Sequence, residues 1–332
     1  MKKIKFLSLA LALILILPLS SCSLLTRLTV INTEELDTNL EINVTVLNGT
    51  TGFGAAKMIN DSKEGKSELN YKFAVDTDPT LINAGLINGS IDIAALPTNA
   101  AAALYNKSAG AVKIVAVNTL GVLYLMTNGE NVASINDLKG KTVYCPANNP
   151  AYIFEAILKA NGLEVGKDVD LQTLTEPAAV QAALVSGEAK IAVLPEPLAS
   201  AARVKNKDLK TPLDLTAEWE KAYGENTLMQ GCIVVRTEWA EKHPKELEKF
   251  LEDYKASINF TNENPKEASE MIVAAGIFAA APVAEKAIPK CNIVYIDGEE
   301  MADALSVFFE KLYAVNPKAV GGKLPDSNIY LK

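Results

Sequence analysis

One histidine, four cysteines and no lysine- or arginine-rich run set the first limits on this chain of 332 residues. His243 stands before Pro244, a surface-type helix start far from the candidate loops described below, which argues against a catalytic triad, and without a second histidine there is no histidine-rich metal site and no HExxH pattern. The cysteines, Cys22, Cys145, Cys232 and Cys291, are scattered too widely for a disulfide framework and lack the CxxC spacing of a zinc site. Cys145, Cys232 and Cys291 read as small buried hydrophobes, with one disulfide of undetermined pairing left open. After residue 19, no segment reaches membrane-spanning length without a charge or a Pro/Gly break, so the body is expected to be soluble. The formal charge is −8, and removing Lys2, Lys3 and Lys5 would take it to −11. An acidic body of this kind argues against nucleic acid or anionic lipid as a partner.

What is present begins at the N-terminus. Three lysines precede an apolar run from Phe6 to Leu19, shorter than the ~20 residues a membrane-spanning helix needs. Leu19-Ser20-Ser21-Cys22 follows, and the arrangement resembles a bacterial lipoprotein signal. Residues 1–21 are then a signal peptide, Cys22 a lipid-carrying mature N-terminus and residues 22–40 a tether.

A weak duplication organises the rest. Gly89, Ile93, Ala94, Leu96 and Pro97 match Gly187, Ile191, Ala192, Leu194 and Pro195 at one offset of 98 residues. Each copy reads as strand, helix, strand, helix, strand, helix, which predicts two α/β lobes with parallel, helix-covered sheets. Lobe 1 is expected to hold residues 41–127 and 231–332 and lobe 2 residues 128–230. Two hinge crossings are expected, near 127–133 and 225–231. Thr98 is expected to cap the helix that follows it.

Ligands of open parallel sheets sit beyond the carboxyl ends of the strands. Six loops lie there: 48–54, 76–78 and 97–99 in the first copy, and 146–152, 175–176 and 195–197 in the second. Each runs into a helix start, where free N–H groups favour polar or anionic atoms. The candidate ligand-binding residues are Asn48, Thr51, Gly52, Phe53, Thr98, Asn99, Asn148, Asn149, Tyr152 and Glu196, with Gln230 on the second crossing. Phe53 and Tyr152 offer stacking surfaces for a planar ligand but suit the core equally. The asparagines can instead bond their own turns. Glu196, between two prolines, suits either an amine or amidine ligand or simply a helix start.

The runs LNGTTGFGAAKM (47–58), DIAALPTNAAAALYNK (92–107), DLKGKTVY (137–144), IAVLPEPLASA (191–201) and RTEWAEKHPKELEKFLEDY (236–254) resemble ABC-transporter substrate-binding proteins. The resemblance is to their nitrate/sulfonate/bicarbonate and thiamine-precursor branch. It implies a two-lobed, type II periplasmic-binding-protein-like fold, each lobe a mainly parallel sheet flanked by helices. It also implies a monomer that binds a small-molecule solute between the lobes and docks on an ABC permease at the outer face of the membrane. Neither a cofactor nor a metal follows from it. A fold-related lyase or synthase and a sensory lipoprotein are the alternatives, and the cysteine cluster and active-site histidine of the related synthase are missing. No lysine or arginine lies in the six loops. The expected solute is therefore a polar or planar organic molecule, a nitrogen heterocycle first and a sulfonate second.

Overall fold

The computed structural model describes residues 35–332; the leader, Cys22 and most of the tether lie outside the described residues. The chain opens with β1 (Glu41–Leu47), α1 (Thr50–Phe53), α2 (Ala56–Lys63), β2 (Asn70–Asp76), α3 (Pro79–Asn88), β3 (Ile93–Pro97), α4 (Thr98–Lys107) and β4 (Val112–Thr119). It continues through β5 (Leu123–Thr127), β6 (Thr142–Pro146), α5 (Asn149–Ala160), β7 (Asp170–Leu174), α6 (Pro177–Ser186), β8 (Ile191–Pro195), α7 (Leu198–Lys205), β9 (Lys210–Asp214) and α8 (Leu215–Tyr223). The last stretch holds β10 (Gly231–Arg236), α9 (Thr237–Lys242), α10 (Pro244–Glu263), α11 (Pro265–Ala274), α12 (Ala281–Ala287), β11 (Ile293–Ile296) and α13 (Gly298–Val315). No described helix is long and apolar enough to cross a membrane.

Two helix-flanked sheets result, one of six strands ordered β11-β4-β10-β3-β1-β2 and one of five ordered β7-β6-β8-β5-β9. They are mixed, a correction to the mainly parallel expectation. Strands joined through helices pair in parallel, as β1 does with β2 and β3, and β6 with β7 and β8. The strands that arrive from the other sheet run the opposite way: β10 is antiparallel to β3 and β4, and β5 to β8 and β9. The 98-residue offset survives in the registers, since Gly231 faces Pro97 and Leu123 faces Pro195.

Local chemistry explains the repeated helices. Pro79 and Pro177 open α3 and α6, where the missing N–H has no partner to lose. Asp78 accepts the N–H of Thr80 at 2.8 Å. Gly89 and Gly187 end the pair at a φ of 84°, the left-handed conformation that glycine enters without a Cβ penalty.

One further expectation is corrected. β5 pairs in the second sheet, so the chain first changes sheets at 120–122, upstream of 127–133. An apolar run of five residues suits either sheet, and its pairing with β8 decides. One apolar cluster spans both sheets, running from Leu96 and Val117 through Val143 and Phe154 to Trp219 and Phe308. α13 joins them by packing on both β4 and α5, with the Phe308 ring 5.6 Å from that of Trp219. A smaller cluster around Met126, Val180 and Leu184 stays within the second sheet's layer.

Candidate functional site

The strand-end loops of the two sheets meet at Thr50. Gly49 (φ 89°) turns the chain out of β1, and its N–H donates to the Ile277 carbonyl at 3.1 Å. Thr50 is thereby buried, and its hydroxyl donates to the Glu196 carbonyl at 2.7 Å. The Cys291 sulfur lies 3.9 Å from the same hydroxyl. Next along the loop, the Thr51 carbonyl accepts from Asn118 Nδ2 at 2.9 Å, and that nitrogen also donates to the Tyr254 hydroxyl at 2.9 Å. Gly52 has no room for a side chain, because a Cβ there would stand 2.6 Å from the Leu47 carbonyl oxygen.

Glu196 is only 3% exposed. Its carboxylate accepts from the backbone N–H of Ser200 at 3.0 Å and from the Ser200 hydroxyl at 2.9 Å, inside the first turn of α7. Burial raises its pKa above the usual carboxylate value, while the Ser200 bonds and the charges of Lys290 and Arg203 pull it back. Of its two sequence-level readings, the helix-start role is the one seen.

The other candidates divide by environment. Phe53 is fully buried against Phe278, ring centroids 6.3 Å apart, so it is a core residue and no stacking surface. Thr98 is also fully buried; its hydroxyl donates to the Met229 carbonyl and its N–H to the Gln230 carbonyl. It therefore braces the second crossing and makes no side-chain cap for α4. Gln230 is committed to the same place, its Oε1 accepting from the Val122 N–H at 2.7 Å. Asn48 and Asn148 are exposed, and Tyr152 is half-buried against the core. Asn99 donates to the Ala319 carbonyl at 3.4 Å, but its Oδ1 is buried without a partner. Asn149 Oδ1 is likewise buried and unpartnered, at the start of α5. An unpaired buried acceptor carries a desolvation cost that a ligand donor would relieve.

Sequence reasoning missed Thr50, Ser200, Lys290 and Cys291. Thr50 sits inside a loop that was identified, whereas 288–291 belongs to no repeat and carries no signal of its own. Cys145, Cys232 and Cys291 are all free, buried thiols, which closes the disulfide option among them in this structure. Among the described residues no cluster of His, Cys, Asp or Glu could hold a metal ion.

Two mixed, helix-flanked sheets whose strand-end loops face one another define a periplasmic-binding-protein-like α/β protein. The chain belongs to the family described as NMT1/THI5 like, which matches residues 66–268. It is similar to a solved ABC transporter protein from Parabacteroides distasonis, with 27% identity and a TM-score of 0.74, covering 89% of this chain and 99% of that one. The periplasmic aliphatic sulphonate binding protein SsuA of Escherichia coli shares the fold at 16% identity and a TM-score of 0.71, covering 88% and 92% of the two chains. The periplasmic nitrate-binding protein NrtA of Synechocystis shares it more loosely, at 13% identity and a TM-score of 0.57, covering 79% and 74%. No curated protein matches the sequence.

Proposed function

We propose that this protein is the extracytoplasmic solute-binding component of an ABC importer. In this reading it is held at the membrane by acyl chains on Cys22, takes a small polar or planar solute between its two halves and hands it to a permease. The observation that carries the reading is the bond from Thr50 to the Glu196 carbonyl, which brings a strand-end loop of the first duplicated unit into contact with one of the second. The Parabacteroides relative, described as an ABC transporter, supports it over nearly the whole chain. Hinge closure about 120–122 and 224–230 would open and shut the space between the loops. A ligand drives that closure only through its higher affinity for the closed form. Asn99 Oδ1 and Asn149 Oδ1, two buried acceptors without partners, are the polar atoms best placed to meet a donor-bearing solute such as a nitrogen heterocycle. A sulfonate is the second choice.

The test is native mass spectrometry of the full-length protein for co-purified solute, followed by calorimetry with what is found. Asn149→Ala removes an orphan acceptor, so it should leave stability near wild type and weaken solute binding about tenfold, roughly 1.4 kcal/mol. Conversion of the bound molecule to a product would replace transport with catalysis. Unchanged affinity in Asn149→Ala would move the solute away from these loops.

A further inference from the structure

A groove of about 410 Å³ runs between α7 and α12, lined by Ser200, Arg203, Val204, Val283, Lys286 and Lys290. α7 follows the last strand-end loop of the second sheet and α12 belongs to the return segment, and the two helices pack on one another. Arg203, Lys286 and Lys290 thus reach one space from both halves. None of the three makes an ion pair within 4.0 Å among the described residues, in a chain whose formal charge is −8. A second large cavity, about 400 Å³ beside α2 and α10, shows the contrast. There Lys57 is paired with Asp61, Lys66 with Glu64, and Lys249 with Asp253. Glu196 offsets part of this charge but forms no ion pair within 4.0 Å with any of the three. Lys290 and Arg203 act on its charge from a distance, while both its oxygens are held by Ser200.

Three like charges converging on one space repel, and the repulsion grows as the halves approach. We propose that this groove is an anion-binding site in which an oxyanion group bridges Arg203 on one half to Lys286 and Lys290 on the other and so stabilises their contact. The guanidinium presents a planar fork that matches two oxygens of such a group, and the ammonium groups add charge. The site lies outside the six strand-end loops and stands whichever solute those loops take.

The probe is inorganic phosphate, titrated against full-length protein at constant ionic strength with chloride as the balancing anion. Thermal melting should rise with phosphate in the wild type. The rise should fall at least severalfold in Arg203→Gln and in Lys290→Gln, partly in Lys286→Gln, and not at all in Lys107→Gln, a charge-matched change on exposed α4 surface. Circular dichroism at low temperature checks that each variant is folded. Because each of the three cations is changed singly, one variant failing to fold leaves two to decide. An equal rise with chloride, or full retention of the phosphate effect in Arg203→Gln and Lys290→Gln, overturns the site. Loss of the effect in Asn149→Ala alone places the anion in the loop cluster and overturns it equally, while leaving the solute-binding reading intact.

Discussion

The side-chain oxygen of Gln230 accepts the backbone N–H of Val122 at 2.7 Å, so the two segments on which the chain changes sheets are bonded to one another. Neighbouring bonds repeat the arrangement on each side. The Gln230 carbonyl accepts from Thr98 N–H at 3.1 Å, and the Val122 carbonyl from Glu196 N–H at 2.9 Å. Thr98 and Glu196 are separated by the repeat offset, so this junction is built to the symmetry of the duplication.

Replacing Gln230 with Met keeps the volume and removes the acceptor, leaving a buried N–H on Val122 unpaired. The expected loss of stability is about 1–3 kcal/mol. Urea unfolding of Gln230→Met beside wild type measures it, and a loss well under that range would mean that the amide has found another acceptor.

Thr50→Val deletes the hydroxyl that joins the two halves, while Thr50→Ser retains it. A net hydrogen bond contributes about 0.5–1.5 kcal/mol, which favours the open form by a few-fold to about tenfold. Solution scattering should show a larger mean radius for Thr50→Val, with Thr50→Ser near wild type. Identical profiles for all three would remove the bond from the closing equilibrium.

Glu196 has a carboxyl pKa raised chiefly by burial. Its contribution to stability is therefore fully present below the unfolded carboxylate pKa and is lost as pH rises through the higher folded value. Glu196→Gln cannot ionise. The stability of wild type relative to this variant should fall between pH 4 and pH 7, read from paired urea midpoints. A difference that grows in favour of wild type over that interval would reverse the assigned sign.

Phe308 on α13 touches the core shared by both sheets. Phe308→Ala should cost about 3–5 kcal/mol, as cavities left by aromatic residues do. Because the cluster is continuous, fluorescence and amide exchange should lose the two sheets in one transition. Separate transitions for β1–β4 and β6–β9 would show that the cores act independently.

Cys145, Cys232 and Cys291 have thiols pushed far up by burial, hence scarcely any thiolate at neutral pH. Peptide mapping after alkylation should find all three unmodified in native protein and modified in urea. Native labelling at Cys291 would reveal opening of the Thr50–Glu196 contact.

The sequence was most legible where local rules act alone. Pro79 and Gly89, then Pro177 and Gly187, mark the two helices with their observed limits, because Pro at a helix start and Gly beyond its end are set by the backbone itself. β9, α8 and α12 were not read. β9 carries a Pro and two Lys/Asp ends, and α12 is a short run without a sustained apolar stripe. The site was less legible than the fold. Glu196 and Ser200, Thr98 and Met229, and Thr50 and Cys291 are pairs whose meaning arises from contact. Four of these six residues looked like ordinary turn or core positions in the chain. The basic groove was invisible for the same reason: Arg203 and Lys290 lie 87 residues apart in numbering and become neighbours only through packing.

The place of β10, between β3 and β4, has a bearing on how the protein is made. All five strands of the smaller sheet come from one uninterrupted stretch, 123–214, so that layer can assemble as soon as the ribosome has released it. The larger sheet begins earlier yet is split down its middle until residues 231–236 emerge. Its first four strands must wait with unpaired edges, and a chain shortened before residue 231 would be left with a sheet that cannot join its two pieces.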